Sequence, residues 1–249
     1  MNNHVISCLQ LSSAMSGNIT SVLKASNGGA FATFTDLGLA PAGLWSLVFS
    51  AAGLNSAISQ PFLVLSGAPV ALTLVVEPRG AFGGSAFETQ PIIAAVDQGD
   101  NLANITSSWF QVVPYLVSPP SYQARLNGAS ASTNNSFFYF SDLSVNKVGF
   151  GYTIEFRMMT ANWMNTSVID VTSKPFDVKP GPPASFFIST QPSAIATAAL
   201  PLPVQPAVLI LDSGGNPVNS SIAVQVFFHS LFIYLSSSDG SIFDLVMLI

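Results

Sequence analysis

The sequence predicts an all-β protein built from a repeated unit, and three observations support this prediction. The chain of 249 residues is 49% apolar and only 8% charged. This apolar content is too high for a disordered protein. Short runs rich in β-branched and aromatic residues recur, each bounded by Gly, Pro, Asn or Asp, and no long window keeps a helical apolar stripe. Several motifs also occur twice in the same order.

The apolar runs place the predicted strands along the whole chain. In chain order, these strands cover residues 5–11, 31–35, 44–49, 71–76, 137–140, 152–156, 204–211 and 222–228.

Three pairs of motifs define the repeat. Phe31-Ala-Thr-Phe-Thr-Asp-Leu matches Phe137-Phe-Tyr-Phe-Ser-Asp-Leu, 106 residues later. The matching pairs that begin at Ser59 and Ser173, and at Gln90 and Gln205, lie 114 and 115 residues apart. A unit of this length has the size of an immunoglobulin-type sandwich.

The register of the motifs divides the chain into three segments. The middle segment, residues 68–181, holds a complete unit. The first segment, 1–67, holds only later strands, and the third segment, 182–249, holds only earlier strands. Because natural sheets avoid unpaired edges, two explanations stay open. The ends are boundaries of a fragment, an incomplete gene model or part of a longer array, or neighbouring chains complete each other head to tail.

Further motifs support a resemblance to a known family. They are Asn27-Gly-Gly-Ala-Phe-Ala-Thr-Phe-Thr-Asp-Leu, Gly43-Leu-Trp-Ser-Leu-Val-Phe, Pro61-Phe-Leu-Val, Gly67-Ala-Pro-Val-Ala-Leu and the run that begins at Gln90-Pro. Over residues 27–220 the chain resembles the tandem immunoglobulin-like repeats of bacterial-type surface proteins and adhesins. The resemblance implies tandem sandwiches, one complete and two partial, in a spacer, stalk or filament subunit. Asp100 departs from the pattern, which has Gly before Asn101.

The composition argues against catalysis and against nucleic-acid binding. His4 and His229 are far apart, and neither has a recognisable nucleophile or orienting group beside it, so we expect no catalytic residue and no cofactor. A net charge of −5 without a basic cluster disfavours nucleic acid, and one Cys cannot form a disulfide framework. The longest apolar stretch is too short for a transmembrane helix. Residues 1–17 make a poor signal peptide, so either the protein stays in the cell or Met1 is not the start of the secreted chain.

Two matching acidic turns allow two interpretations. Asp97-Gln-Gly-Asp-Asn and Asp212-Ser-Gly-Gly-Asn suit tight turns, in which Gly and Asn accept positive φ. As calcium loops, they would supply only two or three side-chain oxygens each, whereas calcium takes six to eight. We therefore expect turns and no metal site. The prolines that follow Gly67 and Gly181 should make the two linkers stiff.

The remaining candidate sites lie on the surface of the predicted sandwiches. Asn-x-Ser/Thr sequons predict N-glycosylation on exposed turns at Asn18, Asn104, Asn134, Asn165 and Asn219. Four aromatic residues have no counterpart in the repeat and could contact a sugar or a protein partner, although ordinary packing is the alternative: Trp109, Tyr115, Tyr122 and Trp163.

These observations predict a non-enzymatic, extracellular or cell-surface glycoprotein that acts as a stalk or filament subunit and associates with itself in a linear assembly. One alternative is an adhesin that binds carbohydrate or protein through the exposed aromatics. Another is a spacer from a large secreted enzyme.

Overall fold

The computed structural model describes residues 5–8, 15–22, 24–26, 29–105, 110–117, 119–128, 131–160 and 169–227. Within these ranges the chain forms β-strands and no helix, which confirms the all-β prediction. None of the described residues therefore forms a helix long and apolar enough to cross a membrane. The strands are β1 Val5–Cys8, β2 Met15–Ser16, β3 Thr20–Val22, β4 Lys24–Ser26, β5 Gly29–Phe31, β6 Gly38–Leu39, β7 Gly43–Trp45, β8 Val48–Ala51, β9 Ala57–Ile58, β10 Phe62–Val64, β11 Ala71–Val76, β12 Ala81–Phe82, β13 Ile92–Val96, β14 Phe110–Val117, β15 Leu126–Asn127, β16 Ala131–Asn134, β17 Phe137–Phe140, β18 Ser144–Val145, β19 Gly149–Thr160, β20 Ile169–Thr172, β21 Phe176–Lys179, β22 Ser185–Thr190 and β23 Ala207–Leu211.

The middle segment contains two sheets that share one hydrophobic core. One sheet has the order β11-β13-β17-β16, and the other has the order β12-β21-β19-β14 with β20 also paired to β19. Ile93 and Phe138 from the first sheet and Ile154 and Phe156 from the second are fully buried in the same cluster. Among the described residues, every fully buried apolar side chain lies between Leu72 and Val178, the bounds of this core.

Strand β19 shows why these residues form a sheet with one buried face. Tyr152, Ile154, Phe156 and Met158 are buried, while the residues between them are more exposed, as the period of two in a strand requires. The neighbouring strand β14 contains Pro114, which a strand tolerates at a sheet edge.

Smaller sheets flank this core on both sides in sequence. The first segment has the orders β3-β1-β8-β9, β10-β7, β2-β6 and β4-β5, and the third segment has the hairpin β22-β23. By compactness, the chain divides into two units, Met1–Val218 and Asn219–Ile249. All the strands given above belong to the first unit.

Some of the predicted strands differ from the observed ones. The predicted strand at 44–49 is interrupted, because Leu47 donates its backbone N–H to Ser59 Oγ at 2.9 Å between β7 and β8. The strand expected at 31–35 ends at residue 31. The strand expected at 222–228 is wrong for residues 222–227, which form no strand. A strand needs a hydrogen-bonded neighbour, and the described part of the third segment offers none there.

Candidate functional site

The two acidic turns lie where consecutive segments of the chain meet. Asp97 accepts hydrogen bonds from Gly99 N–H at 2.8 Å and Asn101 N–H at 3.0 Å, which closes the turn. It also accepts one from Gly67 N–H at 2.7 Å, in the linker that precedes the middle segment. The carboxylate therefore ties the turn to the linker.

The amide of Asn101 connects the same turn to the first segment. Its Nδ2 donates to Ala40 C=O at 2.7 Å, and its Oδ1 accepts from Ala42 N–H at 2.8 Å. Since one backbone partner is an acceptor and the other a donor, they fix which way the amide is turned. Nδ2 also donates to both carboxylate oxygens of Asp97, at 3.0 and 3.1 Å. We call this arrangement of carboxylate, amide, linker and three-residue loop a junction clasp.

A second junction clasp joins the middle and third segments. Asp212 accepts from Gly181 N–H at 2.9 Å in the next linker, as well as from the amides of its own turn. Asn216 Nδ2 donates to Asn146 C=O at 2.7 Å, and Asn216 Oδ1 accepts from Val148 N–H at 3.2 Å. The two clasps therefore use matching atoms at positions 115 residues apart in the turn.

An aromatic side chain of the same segment donates a hydrogen bond to the central residue of each three-residue loop. Trp45 Nε1 donates to Pro41 C=O at 3.0 Å, between the two loop residues that Asn101 contacts. Tyr152 Oη donates to Lys147 C=O at 2.9 Å in the second junction. Each loop is thus held by its own segment on one side and by the next segment on the other.

The glycine in the centre of each turn permits a close approach between segments. A Cβ on Gly99 would lie 2.2 Å from Ala40 O, and a Cβ on Gly214 would lie 1.9 Å from Asn146 O. Both contacts are with backbone atoms, so no side-chain movement can relieve them. The motif therefore needs each residue for a different physical reason. Asp accepts a hydrogen bond from the linker, Gly permits the close approach, and the Asn amide both donates to the loop and accepts from it.

The fourth position of the turn is left-handed in both copies, with φ of 60° at Asp100 and 72° at Gly215. An L residue in this conformation costs about 1–2 kcal/mol, less for Asp than for most others. We expect Asp100→Gly to raise the free energy of unfolding by about 0.5 kcal/mol, measured by urea denaturation. Gly215→Asp is the matched reverse change and should lower it by a similar amount. Destabilisation by Asp100→Gly would contradict this account of the position.

Hydrogen bonds keep both carboxylates ionised. The Gly67 N–H is the largest cause of the lowered pKa of Asp97, and burial opposes it. For Asp212, burial is the largest single effect and raises the pKa, but the bonds from Gly181, Asn216 and Gly214 together lower it below the usual value. N–H donors surround these oxygens, so a cation at either carboxylate would have to displace them. In the part of the chain that the structure describes, no group of three or more His, Cys, Asp or Glu residues could hold a metal ion.

The lowered pKa values predict that the clasps weaken in acid. A carboxyl whose pKa is lower in the folded state stabilises that state above its unfolded value of 3.8, and the stabilisation is lost as pH falls through the folded pKa. We expect the hydrogen-exchange protection factors of the Gly67 and Gly181 amides to fall as pH drops from 5 to 2. The Ile154 amide, which donates to Ser173 Oγ, is a control without a titrating partner. Constant protection of the two glycine amides, or a loss equal to that of Ile154, would contradict the prediction.

The structure places the described sequon asparagines on the surface. Asn18, Asn104, Asn134 and Asn219 are exposed, while Asn165 lies outside the described residues. Asn18 Oδ1 accepts from the hydroxyl of Thr20, the third residue of its own sequon, at 3.2 Å.

The structure describes two of the four candidate aromatics, Tyr115 and Tyr122. Tyr115 is partly exposed on β14, and the guanidinium carbon of Arg157 lies 4.8 Å from the centre of its ring. Tyr122 is almost fully exposed in a turn, and its oxygen accepts from Gln123 Nε2 at 3.0 Å. Trp109 and Trp163 lie outside the described residues.

The contacts between segments were not foreseen from the sequence. The motif beginning at Asp97 predicts a turn, but it does not predict the bonds to Gly67 and to the loop at 40–42. One signal could have found them: the same Asp-x-Gly-x-Asn pattern recurs, and each copy follows a Gly-containing linker by about 30 residues.

Comparison with known proteins gives weak structural similarity. No family model matches the sequence, and no curated protein matches it. Among solved structures, the chain is similar to domains 5–6 of the S-layer protein SbsC, with 16% identity, a TM-score of 0.28, and coverage of 72% of this chain and 82% of that one. It is also similar to domains 4–9 of the surface layer protein SbsC, with 16% identity and a TM-score of 0.27, over 90% of this chain and 31% of that one.

Proposed function

We propose that the protein is a non-enzymatic, extracellular structural protein, a stalk or filament subunit of tandem immunoglobulin-like β-sandwiches. In this proposal residues 68–181 form the complete sandwich, residues 1–67 the later strands of a partial one, and residues 182–249 the earlier strands of another. The paired junction clasps carry the proposal. The acidic motif that recurs along the chain holds one segment against the next, which is what a load-resisting array requires.

The linkers support a mechanical role. Each linker is short and is tied by its glycine N–H to the acidic turn that follows it, at Asp97 or Asp212. Pro69 in the first linker and Pro182 in the second restrict φ and remove backbone donors. A stiff linker and a two-way amide contact together oppose bending at each junction.

Glycosylation and surface location complete the proposal. The exposure of Asn18, Asn104, Asn134 and Asn219 leaves these side chains accessible to glycan. Expression in a eukaryotic secretory host should give a protein whose mass falls on treatment with an N-glycosidase. Asn104→Gln should remove one glycan, and Asn127→Gln, at an exposed asparagine outside any sequon, should remove none. An unchanged mass after glycosidase treatment of the wild type would remove the glycoprotein part of the proposal.

Labelling of intact cells tests the proposed location directly. An antibody against residues 119–128, which include the exposed Tyr122, should label cells of the source organism without permeabilisation. Labelling that requires permeabilisation would contradict an extracellular structural role.

The exposed tyrosines favour one alternative function, an adhesin. Tyr122 presents its ring to solvent, and exposed aromatic rings often serve as contact points. Binding to a glycan or protein panel that is lost in Tyr122→Ala, but retained in Val75→Ala at another exposed apolar position, would favour this alternative.

A further inference from the structure

The hairpin of the third segment repeats the pairing of the corresponding hairpin in the middle segment. β22 pairs with β23 in the same register in which β11 pairs with β13, with every partner 114 or 115 residues further along. Both ladders also shift register at the same point, between Leu74 and Val76 and between Ile188 and Thr190. The two hairpins therefore present matching faces.

The segment that connects the two strands is also matched. Leu200 donates its backbone N–H to Thr197 C=O at 3.2 Å, as Ser85 donates to Phe82 C=O at 2.9 Å. Gln205 Nε2 donates to Leu202 C=O at 3.0 Å, as Gln90 Nε2 donates to Phe87 C=O at 3.2 Å. Residues 185–211 thus share their strand pairing and these two hydrogen bonds with residues 71–96.

The matching faces differ in what covers them. Leu72 is 6% exposed, whereas its counterpart Phe186 is 60% exposed. Ile93 is 0% exposed, whereas its counterpart Val208 is 42% exposed. A face that forms the core of the middle segment is therefore open to solvent in the third.

Later strands of the middle segment provide the cover there. Phe87 donates its N–H to Leu143 C=O at 2.9 Å, and its ring packs edge-on against Phe176 with centroids 5.4 Å apart. Gln90 donates to Leu143 C=O and accepts from Leu143 N–H, each at 3.1 Å. Among the described residues, these bonds to Leu143 have no counterpart at Gln205.

The first segment contains the counterparts of that cover, and they line an open groove. The groove has a volume of about 280 Å³ and is lined by Met15, Leu37, Leu39, Leu47, Phe62 and Val64. The residues that match them in the middle segment belong to its hydrophobic core or pack against it: Leu126, Leu143, Val145, Ile154, Phe176 and Val178.

We propose that residues 185–211 of one copy dock into this groove of a second copy. The inference rests on the proposed function and names the partner in its self-association. The middle segment supplies the template, since it makes this same contact within one chain. Neither the groove lining nor residues 185–211 contain a charged side chain, so the contact buries no unpaired charge. Because hairpin and groove are different surfaces, the contact is heterologous and can repeat in a line.

The template also specifies the polar contacts. Leu202 N–H should donate to Leu37 C=O of the second copy, as Phe87 N–H donates to Leu143 C=O. The Gln205 side chain should bond to the backbone of Leu37 through both of its polar atoms, as Gln90 does with Leu143. These bonds fix the register of a contact that is otherwise apolar.

Sedimentation of the full chain over a range of concentrations tests this docking. We expect wild type to form linear oligomers that grow with concentration. Phe186→Asp should raise the dissociation constant of these oligomers by at least about 100-fold, because docking would bury the new carboxylate without a partner. Gln205→Ala should raise the dissociation constant by about tenfold.

Phe187→Asp is the matched control, since Phe187 lies on the opposite face of β22, at the position of the exposed Thr73 in the middle segment. It should leave the dissociation constant within about twofold of wild type. Phe186 and Phe187 are both exposed, so neither change should unfold the chain. A wild-type chain that stays monomeric up to about 100 μM would overturn the inference, as would equal weakening by both variants.

The outcomes separate this inference from the proposed function. A monomeric chain with rigid junctions would remove the docking and leave the structural role intact. Junctions that are flexible in the wild-type chain would remove the structural role itself.

Discussion

Asp212→Ala is expected to weaken the second junction clasp by about 3 kcal/mol. The buried carboxylate accepts N–H bonds from Gly181, Gly214 and Asn216. A hydrogen bond to a charged group contributes about 1.5–3 kcal/mol, and a buried donor left unpaired costs about 1–3 kcal/mol. Water can reach part of the turn after the change, so the total should lie well below the sum of these values.

Hydrogen exchange at the Val148 amide measures this loss, because Val148 donates to Asn216 Oδ1 and not to Asp212 itself. Its protection factor should fall by about 100-fold. Asp177→Ala is the matched control, because it removes an exposed carboxylate that accepts one bond, from Gly151 N–H at 3.0 Å. If Asp212→Ala left Val148 as protected as in wild type, the carboxylate would not hold the junction.

Gly214→Ala is expected to open the same clasp by steric conflict, at a cost of about 3 kcal/mol. The new Cβ would lie 1.9 Å from Asn146 O. Because carbon and oxygen atoms in van der Waals contact are about 3.5 Å apart, the turn and the loop must separate by more than about 1 Å. Since Asn146 O is also the acceptor for Asn216 Nδ2, the separation breaks a hydrogen bond of the clasp. Thermal unfolding and exchange at the Val148 amide should both report the loss.

Two neighbouring changes separate steric conflict from other effects in this turn. Gly215→Ala places a side chain at a φ of 72° without a close backbone contact, and should cost only about 1–2 kcal/mol. Ser213→Ala removes one hydrogen bond, to Gly83 C=O, and should cost about 1 kcal/mol. Should Gly214→Ala prove milder than Gly215→Ala, close approach would not be the reason for the glycine.

Local pattern predicted the strands where burial on one face was strong. The strands at 71–76 and 137–140 were predicted with their observed bounds, since their side chains alternate or pack against a continuous core. The strand expected at 222–228 failed over its described residues, because an apolar run becomes a strand only when a neighbour can accept its hydrogen bonds. Periodicity reports the face of a strand and not the presence of its partner.

The junction clasps show the same limit at the level of the site. Composition and turn preference were enough to predict the turns at Asp97 and Asp212. Their further role depends on Gly67 and Gly181, which are about 30 residues earlier, and on loops about 60 to 70 residues earlier. Backbone acceptors such as Ala40 C=O carry no side-chain signal. Only the spacing of the repeat could have pointed to them.

The most direct test measures distance across the second junction, between spin labels at exposed positions Ser132 on β16 and Thr190 on β22, with Cys8 replaced by Ser. We expect a narrow distance distribution for this chain and a clearly broader one after Asn216→Ala, because this change removes the hydrogen bonds to Asn146 C=O and from Val148 N–H. Equal distributions in the two proteins, whether both broad or both narrow, would contradict the claim that the clasp holds consecutive segments together.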